Sequence, residues 1–114
     1  MRAVVTNVLV RLITRDDERQ AETAEEFVST GAWVSHLVLA ETSWVLDSVY
    51  DRTPEQLPKA IGMLLDHKQL TIQDPDAVAA ALEKSRRNKG MSFSDLLILE
   101  IARKNGHLSL GSFD

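Results

Sequence analysis

Apolar residues recur along this chain in two rhythms, short runs and helical spacing, and the two alternate. Ala3-Val4-Val5 is a short apolar run closed by Thr6-Asn7, after which Val8, Leu9, Leu12 and Ile13 return at helical intervals. This predicts a strand turning into a brief helix capped by Asn7. Asp16-Asp17 opens a polar helix reaching about Ser29, with Ala21, Ala24, Phe27 and Val28 on one side and Gly31 stopping it. Trp33-Val34-Ser35 reads as a second strand. Leu37 to Tyr50 reads as a helix whose inward stripe holds Val38, Val45 and Val49, with Glu41 on the same stripe. Thr53-Pro54-Glu55-Gln56 has the form of a capping box, although Pro58 removes an early backbone bond and favours a start near Pro58. Leu57, Ile61, Leu64 and Leu65 give that helix its face.

Gln69 to Gln73 reads as a third strand, followed by Asp74-Pro75 as N-cap and first helical residue and by a helix burying Val78, Ala81 and Leu82. Ser92 to Asn105 is the last helix, stopped by Gly106, and His107 to Leu110 is a fourth strand leading to Gly111-Ser112-Phe113-Asp114. Strands separated by helices imply an α/β fold with a mainly parallel sheet covered on both faces.

Composition narrows the functional classes. With 114 residues and 44% hydrophobic content, one domain spanning 1–114 is expected. The absence of cysteine excludes disulfides, thiolate metal sites and a cysteine nucleophile. With no secretory leader pattern, the expected setting is the cytoplasm. No apolar run approaches the ~20 residues that span a bilayer, so no membrane partner is expected. A formal charge of −4 argues against a protein that coats nucleic acid, but leaves room for a local basic strip beside an acidic site.

Three acids stand in apolar contexts. Glu41 lies on the stripe described above, Asp95 has Ile98, Leu99 and Ala102 at helical spacing, and Asp114 ends the fourth strand, at the edge where parallel sheets place ligands. A carboxylate on a buried face is costly unless protonated, paired or bound to a cation. Clustered carboxylates fit a hard cation such as Mg²⁺ or Mn²⁺, which activates water and neutralises a scissile phosphate. Each acid also has a plainer reading. Ser92-x-x-Asp95 is itself a capping pattern, Glu41 fits a partly exposed or paired helix carboxylate, and Asp114 is a terminal residue.

The segments around these acids resemble the PIN-domain ribonucleases of the VapC toxin type. Met1 to Val10 is similar to the family's opening, in which an Asp precedes Thr-Asn, and Val5 stands in that place. Leu39-Ala40-Glu41-Thr42-Ser43-Trp44 resembles the helix with the conserved Glu. Phe93-Ser94-Asp95-Leu96-Leu97-Ile98 and Gly111-Ser112-Phe113-Asp114 resemble the segments with the third and fourth acids. The resemblance implies a three-layer α/β/α sandwich, Mg²⁺ or Mn²⁺ held by Glu41, Asp95 and Asp114, and cleavage of structured RNA. It also implies a cognate antitoxin that covers the site, and a homodimer.

Asn7 and Ser112 lie in matching turns where they would orient the acids or a metal-bound water, or serve as a helix cap and a turn hydroxyl. Arg86, Arg87 and Lys89 would line a phosphate path, although basic residues at a helix end also offset its dipole, and the plainer role is favoured. Arg11 and Arg15 carry the same ambiguity. His36, His67 and His107 share no ligand spacing, which argues against zinc. Trp33 and Trp44 are expected in the core rather than as base-stacking platforms.

The resemblance has two departures. Valine cannot coordinate a cation, so much reduced nuclease activity is expected, or a noncatalytic module that binds an antitoxin or RNA. The family's C-terminal helix and last strand are also expected to be missing after Asp114.

Overall fold

A computed structural model of the chain describes residues 2–50, 53, 55–88 and 90–106. Among the described residues it is a mixed α/β structure of six helices and a three-stranded parallel sheet. The elements run β1 (Arg2–Ala3), α1 (Thr6–Thr14), α2 (Glu18–Val28), β2 (Ala32–Val34), α3 (His36–Ser48), α4 (Gln56–Asp66), β3 (Leu70–Ile72), α5 (Pro75–Arg87) and α6 (Phe93–Lys104). The strands lie in the order β1-β2-β3, with Ala3 opposite Trp33 and Trp33 opposite Thr71. Because all three are parallel, their carboxyl ends meet at one edge, where Val5, Ser35 and Gln73 leave the sheet.

Ala32, Val34, Leu70 and Ile72 form one continuous buried layer with Val4, Leu9, Leu39, Ile61, Val78 and Leu97. Between them on β2 and β3, Trp33 and Thr71 are exposed, as the two-residue period of a strand requires. No helix among the described residues is long and apolar enough to cross a membrane. The expected fourth strand, His107 to Leu110, and the segment Gly111 to Asp114 lie outside the described residues.

Local chemistry sets most helix starts. Asp17 accepts from the Gln20 amide, Ser35 from Val38 and Ser92 from Asp95, each satisfying one of the donors orphaned at a helix N-terminus. Thr53 and Gln56 bond reciprocally, at 3.0 and 3.1 Å, so the capping box operates. With that cap in place α4 begins at Gln56, ahead of the expected start at Pro58, and Pro58 is simply buried in its first turn. Gly31, at φ 99°, supplies the left-handed turn into β2 that a side chain would resist.

Four expectations are corrected. Asn7 does not cap α1: the cap position falls on Val5, whose side chain makes no capping bond, and Asn7 is an exposed residue within the helix. Asp74 precedes Pro75 as expected, but it adopts a left-handed conformation, φ 46°, and its carboxylate turns to other partners instead of capping. The inward face of α3 is Leu39, Thr42, Ser43 and Leu46, whereas Val38 and Val45 are half-buried and Val49 is exposed. That helix is apolar on several sides, so spacing alone chose the wrong stripe. Thr42 can be buried because its hydroxyl donates to the Val38 carbonyl at 2.7 Å. Finally, Trp33 and Trp44 are not core residues; they are 38% and 63% exposed.

Candidate functional site

The site is built where β1 ends and α1 begins. Val4 donates to the Trp33 carbonyl, fixing the end of β1 beside β2, and the chain then turns through Val5 into α1. α1 packs across α3, which brings the Thr6 hydroxyl to Glu41, where it donates to Oε1. The pairing links residues far apart in sequence and holds the Glu41 carboxylate beside Val5. Val5 itself is 58% exposed and presents only methyl groups there.

A hollow of about 560 Å³ opens at this point, lined by Val5, Thr6, Asn7 and Val10 from the start of α1 and by Glu41, Val45, Val49 and Tyr50 from α3 and the residues just after it. A second hollow of about 230 Å³ adjoins it and runs on along α1 past Arg11 to Asp16 and Asp17 at the start of α2. Asn7, Val10 and Tyr50 line both, so the two form one groove leading away from Glu41.

The remaining expected acids fare differently. Asp95 lies in the first turn of α6, a helix packed on α3, and its backbone amide is bonded by Ser92 at 3.2 Å, as a capping sequence requires. Both Glu41 and Asp95 are exposed, so the expectation of carboxylates on buried faces is overturned. Desolvation is not what distinguishes them. Among the described residues the buried acid is Glu100 on α6, 8% exposed and paired with Lys84 on α5, which sequence reasoning passed over. Asp114, Ser112 and Lys89 lie outside the described residues.

The groove-lining Asn7 keeps a place near Glu41, although not the capping one expected of it. Arg87 pairs with Glu83 at 3.1 Å, and Arg86 approaches the same carboxylate at 3.9 Å. Local pairing on α5 therefore engages two of the three cations expected to line a phosphate path, the third, Lys89, lying outside the described residues. Arg15 likewise pairs with Glu25 at 2.5 Å. The Arg11 side chain makes no hydrogen bond or ion pair among the described residues, and the residue lines the groove.

A second polar cluster sits at the same edge, behind β3. Lys104 reaches Asp74 at 2.9 Å and Asp76 at 2.8 Å, tying the end of α6 to the start of α5. The hydrogen bond from Lys104 lowers the Asp76 pKa below the ordinary carboxylate value, and the bonds to Asp76 and Asp74 raise that of Lys104. His36 joins from α3: its amide donates to Gln73, and its buried Nε2 lies 3.2 Å from an Asp74 carboxylate oxygen without forming a hydrogen bond. Sequence spacing gave no sign of this cluster, because its members come from three separate elements.

The donor set does not by itself fit a divalent cation. Val5 offers no oxygen, Thr6 already occupies one Glu41 oxygen, and no group of three carboxylates or imidazoles comes together among the described residues. Comparison with known proteins finds one family model, described as PIN domain, which matches residues 3–114. No curated protein and no solved structure matches the chain.

Proposed function

The chain belongs to the PIN-domain family, generally a nuclease fold that usually uses divalent metal ions, and from that premise we propose that it is a VapC-type endoribonuclease toxin weakened or silenced at Val5. The observation that carries this reading is the meeting of Val5, Thr6 and Glu41 at the mouth of an open groove, at the carboxyl end of a parallel strand. An acid at position 5 would stand beside the Glu41 carboxylate, and a valine there removes an oxygen ligand while leaving the groove intact. In this reading the substrate is structured RNA, a cognate antitoxin covers the groove, and two chains form a homodimer. The exposed Leu37 and Trp44 on α3 support a surface made for a protein partner.

The test compares this chain with Val5→Asp in an RNA-cleavage assay containing Mn²⁺. Val5→Asp is expected to cleave at least ~10 to 100-fold faster, the scale on which even indirect losses around a metal act. A revertant as inert as the parent would leave the second reading, a noncatalytic module binding antitoxin or RNA. The Thr6 hydroxyl on Glu41 favours that alternative, since it satisfies the carboxylate without a cation.

A further inference from the structure

Leading away from Glu41, the groove changes character along α1. Its first part is lined by valines, and its second by polar and charged groups. Two side chains stand out at the junction. Tyr50, two residues beyond the end of α3, is part-exposed and lines both hollows. Arg11, one turn along α1 from Asn7, lines the second hollow, and its guanidinium has no ion-pair partner among the described residues, while Arg15, Arg86 and Arg87 all engage carboxylates.

An aromatic face beside an unpaired guanidinium is the combination that holds single-stranded nucleic acid, the ring stacking on a base and the cation meeting a phosphate. We propose that Tyr50 and Arg11 form a subsite for one nucleotide of single-stranded RNA, next to the bond presented at Glu41. This rests on the nuclease reading and adds to it the path by which the strand leaves the site. Asp16 and Asp17, which line the same hollow, repel phosphate and so favour its placement on Arg11. Their oxygens are acceptors for base amino groups and the ribose 2′-hydroxyl, although one Asp17 oxygen already receives the Gln20 amide. The rest of the chain supplies little nonspecific attraction, given its net charge of −4, so binding depends on this one contact pair more than it would on a basic surface.

Because Val5 slows or prevents cleavage, binding can be measured on this chain directly, by fluorescence anisotropy of a short labelled single-stranded RNA at low salt. Tyr50→Ala is expected to weaken binding roughly 5- to 100-fold, and Tyr50→Phe to retain it, since stacking needs the ring and not the hydroxyl. Arg11→Ala is expected to weaken binding roughly tenfold and to lower the salt slope by about one, whereas Arg15→Ala, outside the groove, should do neither. Circular dichroism on each variant separates lost binding from lost folding.

The subsite is overturned if Arg11→Ala behaves as Arg15→Ala does, if folded Tyr50→Ala binds like the parent, or if the parent binds no RNA. The same substitutions in the Val5→Asp chain keep the two proposals apart. Cleavage with a KM indifferent to Arg11 and Tyr50 defeats the subsite alone. Binding that depends on both residues, with no cleavage by Val5→Asp, defeats the nuclease reading alone.

Discussion

Position 5 is the N-cap of α1, with extended backbone angles suited to a capping side chain that valine does not have, and it shares a hollow with Glu41. Val5→Asn would supply the capping oxygen without a carboxylate, and should stabilise the fold by about 1 kcal/mol in urea unfolding while restoring no cleavage. If Val5→Asn proved as active as Val5→Asp, the acid would not be what position 5 lacks. A second residue-level prediction concerns Glu100, whose carboxylate is nearly sealed between α5 and α6. Lys84→Ala should cost about 1–2 kcal/mol, less than the loss from a fully buried pair, because the lysine is itself 40% exposed. The word patterns around Val5 and Glu41 were legible in the sequence, but the Thr6 hydroxyl between them was not. A hydrogen bond joining residues 35 positions apart leaves no local signature.

Among the elements, α3 shows most clearly what periodicity can and cannot tell. Its start is set by a local rule that the strand reading missed, Ser35 being the N-cap of α3 and not the last residue of the second strand; only its existence follows from the apolar pattern. Its inward face does not, because Leu37, Val38, Leu39, Val45, Leu46 and Val49 surround the axis and give no dominant direction. Packing against α1 and α6 decides, and it selects Leu39 and Leu46 over Val49. Two truncations express the difference. Leu46→Ala should destabilise by about 2–5 kcal/mol and Val49→Ala by less than about 0.5 kcal/mol, measured by denaturant midpoint. Equal costs would return the core face to the stripe of Val38, Val45 and Val49. The more amphipathic α2 was read correctly for the same reason in reverse: its polar composition leaves Ala21, Ala24 and Val28 as nearly the sole apolar side.

For the whole molecule, the alternation of strands and helices was enough to infer a parallel sheet, because parallel neighbours need crossover connections. Contacts that join distant elements were invisible, and the cluster of Lys104, Asp74, Asp76 and His36 is the main example. It fastens the end of α6 to the start of α5 beside α3, and its charges set a pH window. The lowered Asp76 pKa adds stability above the usual carboxylate range that disappears as pH falls through the folded-state value. The raised Lys104 pKa adds stability at and below its ordinary value that disappears as pH rises through the folded-state value. Lys104→Met should therefore destabilise the fold at neutral pH, more at low salt than high, and the difference from the parent should shrink in acid. A difference that persisted unchanged at acid pH would mean that the lysine acts through packing of its stem.

The exposure of both tryptophans has a practical result for anyone following this molecule by light. Trp33 on the open row of the sheet and Trp44 on the outer side of α3 already meet water in the native state. Trp44 should already emit near the long-wavelength limit, leaving mainly the more covered Trp33 to shift on denaturation and making intrinsic fluorescence a muted reporter of unfolding. The same property makes it a sensitive reporter of company: a ligand or protein that covers α3 has an exposed indole to dehydrate, and a shift to shorter wavelength would announce its arrival without any label.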